Sequence, residues 1–230
     1  MRRRERSSDK IEQTLVKAIL SSHYPVGSTL PPERELAKTF EVGRPTVREA
    51  IQRLEKDGWL TCRKGHSPII NDYWSKGNLT TLVHLLHHHE TITEDFIVYL
   101  LELRISLTPT YIRDAVAASQ AKVVAELAHL ERLENEAESY ATFDWQLQRS
   151  LAALSHNPIY LLILNSFHTF YHEMAVNYFA IEEHRNLSFQ FYNDLLAMAL
   201  LGDAAEAEMV AKNAMEKSLT LWKTRKKVEE

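Results

Sequence analysis

The distribution of glycine divides this chain of 230 residues into two parts of different character. Four of the six glycines fall in the first third of the chain, and only Gly77 and Gly202 occur in the rest. Because glycine disfavours the interior of a helix, so long a stretch with so little of it is typical of long helices. The length also exceeds that of a typical single domain. We therefore expect an N-terminal domain at residues 1–74, a linker at 75–79 and a helical domain at 80–230.

Charge and cysteine content narrow the class of protein. Residues 1–74 carry 14 Lys and Arg against 10 Asp and Glu, whereas residues 75–230 carry 13 against 21, so a basic head precedes an acidic body. A basic head favours a polyanionic partner. Cys62 is the only cysteine, which excludes an intramolecular disulfide and fits a reducing cytoplasm. The apolar runs are too short for a signal peptide or a bilayer span, so we expect a soluble cytoplasmic protein without a membrane partner.

The head has the pattern of a winged helix-turn-helix. Pro32 suits the first turn of a helix, Glu41 to Gly43 turn the chain, and Pro45 is tolerated near the start of the next helix. A turn around Lys64 and Gly65 joins two short extended segments into a hairpin. The predicted elements are helices at 9–22, 33–40 and 44–57 and extended segments at 68–71 and 59–63, with the helix-turn-helix at about 33–52.

The body is predicted to be helical throughout. Gly202 is suited to end one helix, and Asn157 before Pro158 is suited to begin another. The predicted fold is therefore mainly α, with a winged helix-turn-helix of three helices and a small β-hairpin followed by an all-α helical bundle that acts as an effector domain. The predicted helices of the body are 80–88, 93–118 with an irregularity at Pro109, 121–139, 140–155, 158–179, 183–201 and 204–227.

The second helix of a helix-turn-helix enters the major groove with its N-terminal residues at the base edges. Arg44 and Arg48 lie four residues apart and can project from one side of that helix, where an arginine can bind guanine O6 and N7. Thr46 can contact a phosphate or a thymine methyl, Arg34 the DNA backbone, and Lys64-Gly65 a groove. Any one of these cations alone is typical of a solvated surface, but the turn, helix and wing together favour DNA contacts.

The segment PVGSTLPPERELAKTFEVGRPTVREAIQRLEKDGWL resembles the N-terminal signature of GntR-type regulators. Further segments, including INDYW, LLELR and NPIYLLILN, resemble the fatty-acid-responsive FadR subgroup of that family over nearly the whole chain. Pro45 and Lys64 stand where the subgroup has threonine and histidine. The resemblance implies a homodimer that binds a palindromic DNA operator, represses fatty-acid degradation genes and activates unsaturated fatty-acid synthesis genes, with DNA contacts at Arg34, Arg44, Pro45, Thr46, Arg48, Lys64 and Gly65.

Polar residues on apolar stripes of the body suggest a ligand cavity. Arg104 lies among leucines in FIVYLLELRISL, where an unpaired guanidinium is costly, so it needs either an internal carboxylate or an anionic ligand. Tyr171 and Tyr178 lie seven residues apart on one helix face, and Tyr192 can join them from the next helix. Taken singly, these tyrosines are equally typical of an ordinary core.

The same resemblance implies that the cavity binds long-chain acyl-CoA and that binding releases DNA. Met215 and Gln148 stand where the subgroup has glycine and phenylalanine, which would reshape the acyl channel. The alternative is a GntR-type regulator that responds to a different organic acid or to no effector. The predicted effector-binding residues are Arg104, Tyr171, Tyr178, Tyr192, Met215, Ser218, Trp222 and Lys227.

No metal, catalytic or cofactor site is predicted. Many related regulators bind a metal through an aspartate and three histidines, and only Asp144 of that set is present, because Gln148, Tyr192 and Ala214 or Met215 occupy the histidine positions. Two histidine pairs, His84 with His88 and His168 with His172, have a spacing that can chelate zinc, but no HExxH motif accompanies them. No nucleophile elbow, phosphate loop or dinucleotide fingerprint occurs, so we expect no enzyme.

Overall fold

The computed structural model describes residues 6–88 and 95–229, and at positions 169 and 225–229 it describes the backbone only. The chain divides into two compact units, Met1–Thr93 and Glu94–Glu230, which we call the N-terminal and C-terminal units. Within the described ranges, no helix combines the length and the apolar character needed to span a membrane.

The N-terminal unit is a winged helix-turn-helix, as predicted. Strands β1 and β2 are antiparallel, with Leu60 opposite Ile70. Helices α1 and α3 pack together because their apolar stripes, with Leu15 and Leu54 fully buried, face the same core. The elements are α1 (Ser7–Leu20), α2 (Glu33–Thr39), α3 (Arg44–Lys56), β1 (Leu60–Thr61), β2 (Ile69–Ile70), α4 (Tyr73–Lys76) and α5 (Leu79–His87).

The two compact units meet at Thr93 and Glu94, whereas the sequence predicts a linker at 75–79. Within the predicted linker, Gly77 and Asn78 separate the end of α4 from the start of α5, and α5 belongs to the N-terminal unit. Thr81 Oγ1 donates to the carbonyl of Asp57, and Asn78 Nδ2 donates to the carbonyl of Lys56 over 3.2 Å. Gly58, with a φ of 83°, admits the backbone of α4 so closely that a Cβ atom there would overlap it. The segment after residue 74 therefore packs on the head.

The C-terminal unit is a helical bundle, which confirms the predicted fold class. Helix α6 packs against α7, α10 and α11, and α7 packs against α9. Ile112, Leu151 and Tyr192 are fully buried in its core. Its elements are α6 (Asp95–Leu127), a 3-10 turn (Leu130–Arg132), α7 (Ala137–Leu154), α8 (Pro158–Asn165), α9 (His168–Phe179), α10 (Glu182–Leu201) and α11 (Ala204–Glu229).

Three of the helices predicted in this unit differ from the structure. In place of the helix predicted at 121–139, α6 ends at Leu127, a 3-10 turn spans Leu130–Arg132 and α7 begins at Ala137. The irregularity expected at Pro109 occurs instead at Ser119, whose φ of −148° and ψ of 43° kink α6, while Pro109 lies buried inside a continuous helix. The helix predicted at 158–179 is divided into α8 and α9. Proline removes one backbone donor, but here the buried packing of Pro109 and its neighbours keeps the chain helical.

Candidate DNA-binding surface and ligand cavity

The start of α3 presents the predicted base-reading residues to solvent. Gly43 is the extended N-cap residue, and Pro45 lies in the first turn, where its missing N–H costs nothing. The apolar residues Val47, Ala50, Ile51 and Leu54 face the core. Arg44, Pro45 and Arg48 are consequently exposed and Thr46 is half-buried, which is the orientation that base contacts require.

Arg48 is held by a carboxylate of the preceding helix. Its Nε and Nη2 donate to Oε1 and Oε2 of Glu33 over 3.0 and 2.7 Å. The hydrogen bond with Arg48 lowers the pKa of Glu33, so the pair is ionised at neutral pH. A guanidinium has five N–H donors, and the edge formed by its two Nη atoms stays available for guanine. Glu33, which the sequence reading did not single out, therefore orients Arg48.

A shallow groove runs between α2 and the start of α3. Three exposed cations line it: Arg34, Lys38 and Arg44. Its remaining lining residues are Ala37, Val42 and Gly43, which are small or apolar. Lys38 was missed in the sequence reading, although its position one helical turn after Arg34 places both side chains on one face of α2.

The wing tip is open. Gly65 has a φ of 81° and nothing within 4 Å of the position that a Cβ atom would take. His66 N–H donates to the carbonyl of Arg63 over 3.0 Å and closes the turn, and Lys64 is exposed beside it. Because backbone and cation are both accessible, the tip has the geometry that a DNA groove contact needs. The DNA-binding role of Lys64 and Gly65 stays a prediction.

One group in the N-terminal unit has the composition of a metal site. Glu12, Asp57 and His84 each present a ligand atom within 4.8 Å of the others. Trp59 Nε1 donates to His84 Nδ1 over 3.1 Å, which leaves the ring hydrogen on Nε2, 3.3 Å from Glu12 Oε1. A protonated ring nitrogen cannot ligate a metal. We interpret the group as hydrogen bonding that anchors α5 to the head.

The C-terminal unit contains a cavity with two lobes. The apolar lobe, of about 150 Å³, lies among α6, α8, α9 and α11 and is lined mainly by leucine, isoleucine and aromatic side chains. The polar lobe, of about 140 Å³, is lined by α10 and α11 residues that include Ser188, Asn213 and Lys217. Both lobes share the side chains Arg104, Asp144, Tyr178, Phe179 and Ser218.

Asp144 neutralises Arg104, so the partner that the sequence left open is an internal carboxylate. Arg104 Nη2 lies 3.2 Å from Asp144 Oδ2, and the Asp144 side chain is only 4% exposed. Tyr171 donates to the same oxygen, and Tyr192 donates to Oδ1 over 2.9 Å. Burial raises the pKa of both tyrosines well above its ordinary value, so each phenol keeps its proton and donates to the carboxylate.

A chain of polar side chains extends this network across the wall of the apolar lobe. Gln148 Nε2 donates to Asp144 Oδ1 over 3.3 Å, and Tyr111 donates to Gln148 Oε1 over 2.6 Å. Tyr111 in turn lies 3.0 Å from Thr108 Oγ1. Burial raises the pKa of Tyr111 to about 12. Both polar atoms of the buried Gln148 side chain therefore have a hydrogen-bond partner.

The predicted effector residues occupy different places around this cavity. Tyr178 donates to Ser218 Oγ over 3.3 Å at the junction of the lobes. Met215 lines the polar lobe and Trp222 the apolar one. Tyr192 is fully buried, lines neither lobe and donates to Asp144, and its role in effector binding stays a prediction. The side chain of Lys227 lies outside the described residues.

The sequence reading used Asp144 only as a metal-site remnant and missed its role beside Arg104. The signal was available in part, because Asp144 and Gln148 lie one turn apart among the buried residues Ala141, Leu147 and Leu151. A pairing across 40 positions of the chain, however, leaves no local pattern.

Two family models match consecutive parts of the chain. Residues 7–69 match bacterial regulatory proteins of the gntR family, and residues 71–229 match the FadR C-terminal domain. The fatty acid metabolism regulator protein of Shewanella pealeana is 38% identical over 82% of this chain and 79% of its own. That of Haemophilus influenzae is 36% identical over 92% of this chain and 88% of its own.

A solved structure has the same fold. Lar, which controls the expression of the Listeria monocytogenes agr system, superposes with a TM-score of 0.59 and 18% identity, covering 94% of this chain and 96% of its own. The matches are to regulators, which confirms that the chain is not an enzyme. The N-terminal and C-terminal matches together establish that the chain belongs to the GntR family of bacterial regulatory proteins, in the group that carries a FadR C-terminal domain.

Proposed function

We propose that this protein regulates genes of fatty-acid metabolism by binding a palindromic DNA operator as a homodimer, and that long-chain acyl-CoA in the cavity of the C-terminal unit releases it from DNA. The observation that carries the proposal is the apolar lobe, which ends at a polar junction. The relatives of the chain are named fatty acid metabolism regulators, which supports the same function. On this proposal the protein represses degradation genes and activates synthesis genes, and it works in the cytoplasm, where bacterial DNA lies.

The exposed residues at the start of α3 support the DNA-binding half of the proposal. Arg44 and the Glu33-oriented Arg48 would contact base edges, and Pro45 and Thr46 would lie beside them in the major groove. Arg34 and the wing residues Lys64 and Gly65 would contact the DNA backbone. One recognition helix covers half of a palindromic site, so a two-fold dimer would fill both halves.

The shape and lining of the cavity support an acyl ligand. A hydrocarbon chain gains free energy by leaving water for the apolar lobe, at about 0.8 kcal/mol for each buried CH₂ group. The thioester would then lie at the junction, where Tyr178 and Ser218 carry hydroxyl groups. Met215 would contact the ligand in the polar lobe and Trp222 in the apolar lobe. Lys227 would contact the phosphate groups of the coenzyme A moiety.

The pairing of Arg104 favours a thioester over a free acid. Asp144 already neutralises Arg104, so a carboxylate ligand entering the junction would meet the negative charge of Asp144 in a largely buried site. An uncharged thioester carbonyl needs only a donor. Tyr171, which lines the apolar lobe, would contact the ligand there, and Tyr192 would act indirectly by fixing Asp144 and hence Arg104.

The test is a titration of a palindromic operator of the fatty acid metabolism regulator type, at fixed salt because salt alone shifts such affinities strongly. Oleoyl-CoA should weaken operator binding, and free oleate at the same concentration should not. Tight binding that neither compound changes would contradict the acyl-CoA half of the proposal and leave a DNA regulator with a different effector or none. Failure to bind the palindrome over random DNA would contradict the operator half.

A further inference from the structure

The cations of the N-terminal unit divide into paired and unpaired sets. Arg48 pairs with Glu33, and Arg53 lies 2.9 Å from Asp9 and 2.8 Å from Glu12. In contrast, Arg34, Lys38 and Arg44 form no ion pair with any carboxylate described in this unit. Other described lysines and arginines of the unit are unpaired as well, but these three line one groove. The groove is therefore suited to bind an anion of another molecule.

The spacing of the charges on α2 strengthens this argument. Arg34 and Lys38 lie at positions i and i+4 of a short helix, an arrangement in which like charges repel each other and destabilise the helix. An anion bound between them would remove that repulsion. The two side chains are exposed and the floor of the groove, at Ala37 and Gly43, carries little side chain. A sugar-phosphate backbone can therefore approach closely.

We propose that Lys38 is a further DNA-binding residue, which contacts a backbone phosphate in the groove that it shares with Arg34 and Arg44. The inference rests on the DNA-binding half of the proposed function. It assigns Lys38 to affinity and not to sequence discrimination, because a phosphate contact is the same on every sequence. Each phosphate neutralised by a cation releases counterions and steepens the salt dependence of binding.

The experiment measures the slope of the logarithm of the association constant against the logarithm of salt concentration, for operator and for random duplex. Lys38→Ala should make the slope shallower by about 0.9 and weaken both duplexes by the same factor. Lys38→Arg should keep the wild-type slope. Lys56→Ala is the matched control, because Lys56 is an exposed lysine at the other end of α3, about 18 Å along the helix from Arg44.

The outcomes separate this inference from the proposed function. Suppose that the wild-type protein binds the operator with steep salt dependence and that Lys38→Ala has the same slope. This result would overturn the role of Lys38 but not the proposed function. A loss of affinity for the operator but not for random duplex would also overturn it, because Lys38 would then read sequence. A wild-type protein that binds neither duplex would overturn both. Since Lys38 is exposed, its replacement should leave the fold unchanged.

Discussion

Two arginines of the N-terminal unit and one arginine of the C-terminal unit are held in opposite ways. Arg34 and Arg44 of the N-terminal unit are exposed and have no described carboxylate partner, whereas Arg104 of the C-terminal unit is paired with a carboxylate that is only 4% exposed. An exposed unpaired cation gains from an external anion such as a DNA phosphate. A cation that is already neutralised inside a cavity gains little from one. On the proposed function, the unpaired Arg34 and Arg44 would therefore contact DNA, while the neutralised Arg104 would set the polarity of a site for an uncharged group.

The internal pairing of Arg104 gives the largest expected effect. Asp144→Ala removes its carboxylate and should lower the free energy of unfolding of the C-terminal unit by about 3–5 kcal/mol. Urea denaturation followed by tryptophan fluorescence would measure it, in a protein whose Trp59 and Trp74 are replaced by phenylalanine so that the signal comes from the C-terminal unit, where the Trp145 ring lies 4.9 Å from Tyr171. The double variant Arg104→Met with Asp144→Leu is the control and should recover only the part of the loss caused by the unpaired guanidinium, because Tyr171, Tyr192 and Gln148 still lose their acceptor. An Asp144→Ala variant as stable as the wild type would contradict the claim that Asp144 neutralises a buried Arg104.

Removing an exposed cation should weaken DNA binding and leave the free energy of unfolding unchanged. Arg48→Ala should lower operator affinity by about 1–3 kcal/mol, or roughly fivefold to 140-fold, because a bidentate guanine contact is lost. Its unfolding free energy should stay close to that of the wild type, since the side chain is 59% exposed. Parallel DNA titrations and urea denaturation would show this. Unchanged operator affinity would refute the placement of α3 as the recognition helix.

Glu33 provides a smaller and sharper test. Glu33→Gln removes the charge that orients Arg48 but keeps most of the side-chain volume, so the ratio of operator to random-duplex affinity should fall by about tenfold or less. The ratio is the informative quantity, because losing a negative charge also strengthens binding to any DNA. A ratio that rises or stays constant would mean that Glu33 competes with DNA for Arg48.

The smallest effect concerns the base of the wing. Burial raises the pKa of the Cys62 thiol to about 11, with Glu55 adding to the shift. Iodoacetamide should therefore react with the folded protein more slowly at neutral pH than with a free cysteine, and the rate should rise until the pH approaches 11. The urea-unfolded chain is the control. Equal rates in the folded and unfolded protein would show that the wing is open at its base as well as at its tip.

The sequence predicted the head better than the body for a physical reason. Helix caps, turn residues and the Arg44 and Arg48 spacing are local, so a single stretch of chain carries them. The role of Asp144 depends on pairing with Arg104 between two helices far apart in sequence, and the docking of α5 depends on contacts to Asp57 and Trp59. Such pairings follow from packing, which periodicity does not specify.

The most direct test of the central claim is a calorimetric titration of oleoyl-CoA into the protein with and without saturating operator. Two sites that bias one equilibrium must affect each other equally. We predict that operator weakens oleoyl-CoA binding by the same factor by which oleoyl-CoA weakens operator binding. An oleoyl-CoA affinity that operator leaves unchanged, or no binding of oleoyl-CoA at all, would contradict the claim that the cavity controls the DNA-binding head.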